Sequence, residues 1–139
     1  MDRILLDTNV VLDVLAARVP FLDDSRSVWE LCEGGVVDGW ISAITFNNVF
    51  YVLRKFSNLT SARRHLRDLR RVFQVAPVNA GLIDSALASS QSDFEDALQY
   101  GNAISIKAKF LITRNTRDFP KTGPVSILSP RAYLKARSV

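Results

Sequence analysis

Ile4-Leu5-Leu6-Asp7-Thr8-Asn9, near the start of a chain of 139 residues, is the stretch on which the reading of the fold turns. Ile4, Leu5 and Leu6 form an apolar run too short for a helix and suited to a buried strand. Asp7, Thr8 and Asn9 are residues that cap and turn chains, and the apolar Val10, Val11, Leu12, Val14 and Leu15 follow them. A strand that ends in Asp and opens into a helix sets that Asp on the carboxyl edge of a sheet, where open α/β sheets bind ligands. Asp7 or Asn9 serving only as the N-cap of the first helix accounts for the same residues. What sets Asp7 apart is a second acidic cluster far along the chain.

Outward from that stretch, Asn9 to Ala17 reads as a short helix broken by Pro20. Ser25 to Glu33 is a second helix stopped by Gly34-Gly35, Val36 to Ile41 a strand, and Phe46 to Phe56 a third helix ending in Arg54-Lys55. From Thr60 to Val72 the periodicity is strongest: Leu59, Ala62, Leu66, Leu69 and Phe73 share one helix face. Arg63, Arg67, Arg70 and Arg71, with Arg64 beside them, form a neighbouring stripe, read as a solvated surface or as contacts to phosphate or an acidic partner. Phe73 to Val78 is extended, Ala80 to Ala88 helical, and Asp93 opens a helix running to Lys107. Phe110 to Thr113 and Val125 to Leu128 are strands, and Ser129-Pro130 starts a terminal helix. Strands alternate with helices throughout. The pattern predicts one three-layer α/β/α domain over residues 1–139, a mainly parallel twisted sheet of about five strands flanked by helices.

Composition narrows the class. An apolar fraction of 47% and a charged fraction of 23% are those of an ordinary globular protein. No apolar run approaches the ~20 residues that span a bilayer, so no membrane role is expected. Met1-Asp2-Arg3 does not read as the start of a signal peptide, and the lone Cys32 has no intrachain partner, which together predict a cytoplasmic protein. The net charge of +4 is compatible with a polyanionic partner. His65, the single histidine, has no ligand-spaced companion and reads as a surface residue. Trp40 and Tyr51 are expected in the core, with a dimer face as the alternative.

The chemistry sits with the carboxylates, of which there are fourteen. Asp7 follows the first strand, Asp96 lies in the first turn of a later helix, and Asp118 follows the strand ending at Thr113. Asp93 and Asp96, three apart, are expected to share a helix face, with Glu95 pointing elsewhere. Carboxylates grouped without lysine repel one another unless a cation sits among them, and hard oxygen ligands suit Mg²⁺ or Mn²⁺. Such an ion polarises a phosphodiester and acidifies water, so metal-assisted hydrolysis is one reading. Charge complementing a helix dipole is the other for Asp93 and Asp96. Cysteine and histidine are too few for a zinc site or a thiol nucleophile, and there is no glycine-rich phosphate loop. An aspartyl-phosphate role for Asp7 is a further possibility that these residues do not separate from metal binding.

Taken together, Ile4 to Asn9, Ile41-Ser42-Ala43-Ile44-Thr45, Asp93-Phe94-Glu95-Asp96-Ala97, Ile112-Thr113-Arg114-Asn115 and Asp118-Phe119 resemble the PIN-domain family, and within it the VapC-like toxins of toxin–antitoxin pairs. The resemblance runs nearly end to end. It implies a parallel sheet flanked by helices, Mg²⁺- or Mn²⁺-dependent cleavage of RNA, homodimers, and inhibition by a small antitoxin. Asp7 and Asp96 match the family's acids and are the expected metal ligands, with Asp118 and Asp93 as auxiliary catalytic acids. Thr8, Asn48, Thr113 and Asn115 are the expected substrate- or water-orienting residues. Two positions depart from the family pattern: Asn48 stands where many members have Glu, and Asn115 where many have Asp. An amide carbonyl binds a cation without neutralising it, so a weakened enzyme, or an inactive module binding RNA or a protein partner, is the alternative.

Overall fold

The computed structural model describes residues 1–138; Val139, the last residue of the expected domain, lies outside them. Five strands, β1 (Arg3–Leu6), β2 (Asp38–Ser42), β3 (Gln74–Ala76), β4 (Phe110–Ile112) and β5 (Ser126–Leu128), form one sheet in the order β3-β2-β1-β4-β5. Every pairing is parallel. The helices are α1 (Thr8–Leu15), α2 (Leu22–Glu33), α3 (Ala43–Phe56), α4 (Leu59–Val72), α5 (Ala80–Ala88), α6 (Phe94–Ser105) and α7 (Pro130–Arg137).

Side chains alternate across a strand, and β1 supplies both faces of the sheet from consecutive residues. Ile4 and Leu6 join Val10, Val28, Val49, Leu69 and Tyr133 in a core beneath α1–α4 and α7. Leu5 points the other way, to Ala103, Ile106 and Leu111 beneath α6. The expected three-layer α/β/α arrangement is the observed one. Gly39 lets α2 close on β2: a Cβ there would stand 2.6 Å from the sulfur of Cys32.

Element boundaries moved where capping decides them. Asp7, extended at φ −69°, ψ 156°, caps α1, so the helix starts at Thr8. The Ser42 hydroxyl accepts from the Ile44 N–H, which starts α3 at Ala43, three residues before the expected Phe46. Asp93 caps α6 from outside it, and that helix ends at Ser105. Arg63, Arg64, Arg67, Arg70 and Arg71 are all exposed on α4. Leu59, expected on the apolar face of that helix, is exposed at its first turn. Tyr51 is also exposed, contrary to the core role expected of it; it lies on the outer side of α3 with the Lys55 ammonium over its ring. Trp40 is partly buried against the core beneath α6. His65 is half-buried near Leu53 and Phe56, not fully on the surface.

The strand order reverses at β1: the chain steps from β1 to β2 and β3 on one side, then crosses to β4 and β5 on the other. Such a switch point opens a crevice at the carboxyl ends of the strands. Leu6 is in register with Ile41 of β2 and Ile112 of β4. The next residues, Asp7, Ser42 and Thr113, therefore line that edge side by side.

Candidate metal centre

Asp7 is held from three directions. Its Oδ1 accepts the Thr8 N–H at 2.7 Å, and its Oδ2 accepts the Thr113 hydroxyl at 2.8 Å and the Asn9 amide at 3.4 Å. The Thr113 oxygen in turn accepts from the Asn9 amide at 3.3 Å and from the Asn115 N–H at 3.0 Å. Asp7 is 3% exposed. Burial pushes its carboxyl up from the ordinary 3.8; the Thr113 and Thr8 bonds oppose this, the Asp93 charge adds to it and Arg114 subtracts. Capping a helix and facing the crevice turn out to be compatible roles for this residue.

The second acidic group comes from the start of α6. Asp96 is 8% exposed, and its carboxyl is pushed up to about 7, first by burial, then by the charges of Asp93, Asp7, Asp118 and Glu95. Asp7 and Asp96 thus stand within reach of one another's field, 89 positions apart in the chain (96 − 7). Asp93 does not share a helix face with Asp96. It lies outside the helix, and its Oδ1 is occupied by the Asp96 N–H at 2.9 Å, so its carboxylate acts as cap and neighbouring charge. Glu95, expected to point away, faces the cluster: burial raises its pKa, with Asp7 and Asp93 adding to the effect, while the Asn48 amide donates to it at 2.6 Å. The Asn48 amide on α3 is what Glu95 meets there, a partner that spacing along one helix does not reveal.

The remaining expected residues divide. Thr113 touches Asp7 directly. Asn48 reaches the cluster through Glu95. Asn115 and Asp118 are exposed at the rim, where Asp118 contributes charge felt by Asp96. Thr8 is different, because its hydroxyl turns inward, 3.1 Å from that of Thr45, and both accept from Gln99 Nε2 at 3.3 and 3.2 Å. A buried hydroxyl with those partners is not free to orient substrate. Gln99 went unread in the sequence; its position one helical turn after Asp96 and Glu95 was the available signal.

In kind, these carboxylate oxygens are the donors that a hard divalent cation takes. None of Asp7, Asp93, Glu95, Asp96 or Asp118 forms a salt bridge among the described residues. Arg114, the nearby guanidinium, goes instead to the buried Asp13 at 2.8 Å. Mutual repulsion is therefore only partly offset, by the hydrogen bonds to Asp7 and Glu95 and by the field of Arg114. Among the described residues no three His, Cys, Asp or Glu side chains come together as a finished cage.

The PIN domain family model matches residues 3–117. Among solved structures, the chain is similar to a chain of a toxin–antitoxin complex from Klebsiella pneumoniae, with 24% identity over 91% of this chain and 96% of that one and a TM-score of 0.68. It is similar to a chain of the DNA-bound VapBC from Salmonella typhimurium (19% identity, 94% and 99% covered, TM-score 0.68). It is also similar to VapC20 of Mycobacterium tuberculosis, a sarcin-ricin loop cleaving toxin (16% identity, 78% and 86% covered, TM-score 0.63). A comparison with curated proteins returns no match. At these identities the structural likeness is one of fold, and the family model spans most of the chain. With that match and the parallel switch-point sheet in agreement, the chain belongs to the PIN-domain family.

Proposed function

We propose that this chain is a metal-dependent endoribonuclease, the toxin of a VapBC-type toxin–antitoxin pair, formed as one domain over residues 1–139. The reading is supported by Asp7 at the carboxyl edge of the sheet's switch point and by Asp96 and Glu95, whose carboxyls its charge helps to raise, none of the three in a salt bridge among the described residues. Asp7 and Asp96 would hold Mg²⁺ or Mn²⁺, with Glu95 beside them. Such an ion, when bound, supplies Lewis acidity to the phosphodiester and to the attacking water. The chain's own part is positional. Thr113, Asn9 and the Thr8 N–H hold both Asp7 oxygens, and Asn48 holds Glu95. Asp93 and Asp118 add negative charge that favours the cation, and Asn115 at the rim is placed to meet substrate. The expected partners are RNA, a small antitoxin and a second copy of the chain, in the cytoplasm.

Cleavage of single-stranded RNA should require added Mg²⁺ or Mn²⁺ and vanish in Asp7→Asn and Asp96→Asn. Equal cleavage by those variants would mean a contaminating nuclease and end the assignment.

Asn48 and Asn115 favour a second reading, a PIN-fold module that binds RNA or a protein without cutting. Mn²⁺ titration separates the two: an enzyme binds the ion through Asp7, whereas a bare module does not. The α4 arginines serve either reading, and charge reversal at Arg63 and Arg67 without effect on RNA or partner binding would remove them from both.

A further inference from the structure

A cleft of about 440 Å³ has Arg114 in its wall and none of Asp7, Asp93, Glu95, Asp96 or Asp118. Its walls include Pro20, Phe21, Asp24, Arg114, Pro130 and Arg131. Arg114 directly follows Thr113, and its N–H donates to Asn9, the residue whose amide reaches Asp7. One residue therefore separates the cleft from the carboxylate centre.

The construction of this wall is specific. Asp13 is fully buried on α1, a costly place for a charge unless it is paired. Its Oδ2 takes the Ser25 hydroxyl at 3.0 Å and Arg114 Nε at 2.8 Å, which fixes the plane of the guanidinium. That plane covers the Phe21 ring with its carbon 3.9 Å from the ring centroid. Phe21 nonetheless stays 41% exposed. Across the cleft, Arg131 gives only its Nε to Asp24, at 3.2 Å; among the described residues its terminal amino groups make no side-chain bond. A half-exposed aromatic ring, a guanidinium held flat and a second guanidinium whose terminal amino groups stay open beside its Asp24 salt bridge offer what an unpaired nucleotide meets in a protein that reads single-stranded RNA: stacking for the base, hydrogen-bond donors for its phosphate.

The geometry points to this cleft as a subsite for the unpaired base of a ribonucleotide flanking the scissile phosphodiester, stacked at Phe21 with its phosphate toward Arg131. The inference rests on the ribonuclease reading for its substrate class.

The test is binding, read separately from cleavage. A short labelled single-stranded RNA and its abasic counterpart are titrated by fluorescence anisotropy, with Ca²⁺ in place of Mn²⁺, against the full chain, Phe21→Ala, Phe21→Tyr and Arg131→Ala. The wild-type chain should prefer the RNA with bases. Phe21→Ala should weaken that binding by about tenfold, the scale of one lost stacking contact, and erase the preference. Phe21→Tyr keeps the ring and should keep the affinity; Arg131→Ala should weaken both ligands alike. Thermal melts of the variants check that each is folded. Equal affinity of Phe21→Ala and wild type, no preference over abasic RNA, or no RNA binding by wild type would each overturn the subsite. Loss of a protein partner from Phe21→Ala with RNA binding intact would do so too, by assigning the cleft to that partner. If base-dependent binding through Phe21 is found but the RNA is never cut in Mn²⁺, the subsite stands and the nuclease reading falls.

Discussion

Thr113 and Asp7, 106 positions apart in sequence, are joined by a hydroxyl-to-carboxylate hydrogen bond of 2.8 Å. This bond ties the ends of β4 and β1 across the switch point and settles which way the Asp7 carboxylate faces. Hydrogen bonds to charged groups contribute about 1.5–3 kcal/mol, and Thr113→Val removes one from a buried carboxylate. Urea denaturation should show a loss within that range, and RNA cleavage should drop more than RNA binding. Thr113→Ser, which keeps the hydroxyl, should restore most of both. An unchanged cleavage rate in Thr113→Val would show that Asp7 needs no such support.

The acidic centre predicts an inverted pH dependence of stability. The Asp96 carboxyl lies at about 7 in the folded chain against an ordinary 3.8, and Asp7 and Glu95 are displaced in the same direction. Between those pH values the folded chain holds a proton that the unfolded chain has released. Metal-free stability should therefore fall as pH rises from about 4 to about 7, and level off above. Asp96→Asn removes the penalty and should raise the metal-free Tm at pH 8 by roughly 4 °C, equivalent to about 1 kcal/mol. Saturating Mn²⁺ should raise the wild-type Tm at that pH and leave Asp96→Asn much less affected. Melting curves at pH 5 and pH 8, with and without the ion, read all of this; a wild-type chain more stable at pH 8 without metal would contradict the cluster.

Asn48 is the position where charge can be added back. Its amide donates to Glu95 at 2.6 Å, and Asn48→Asp would replace that bond with a second carboxylate at close quarters. The metal-free variant should be less stable by about 1 kcal/mol, as like charges meet in a half-buried site. Its Mn²⁺ affinity should rise by roughly tenfold, or about 1.4 kcal/mol. Isothermal titration measures the second effect and thermal melting the first. Unaltered Mn²⁺ affinity would place the ion away from Glu95.

Gln99 makes the sharpest claim about architecture. Its amide donates to the hydroxyls of Thr8 and Thr45, so one side chain on α6 joins the first turns of α1 and α3. Those turns carry or adjoin Asp7 and Asn48. Gln99→Leu should cost about 1–3 kcal/mol, since the two threonines then have only each other at 3.1 Å. If the triangle positions the acids, Mn²⁺ affinity should weaken as well; a stability loss alone would reduce Gln99 to a core residue.

Much of the fold was legible because it rests on local signals. Ile4-Leu5-Leu6 is a buried strand in both readings, and Ala80–Ala88 is a helix with the same limits in both. The alternation of strand and helix pointed to a parallel sheet, since parallel strands need a long crossover, usually a helix; β4 and β5 are parallel neighbours although only a short 3-10 turn, Thr116–Asp118, lies between them. Errors gathered at caps. Ser42 and Asp93 each start a helix through a side-chain bond, and sequence periodicity does not register where that bond begins.

For the centre itself, the sequence by itself determined the candidate donors: Asp7 after a strand, Asp96 in a first helical turn, and amides at 48 and 115. Only the tertiary structure decided their roles. It turned Glu95 toward the cluster, spent Asp93 on a cap, drew Thr8 inward to Gln99 and sent Arg114 to Asp13. The physical reason is that residue type sets what a side chain can bind, whereas burial and the neighbours brought in from distant strands set which partner it takes and at what cost.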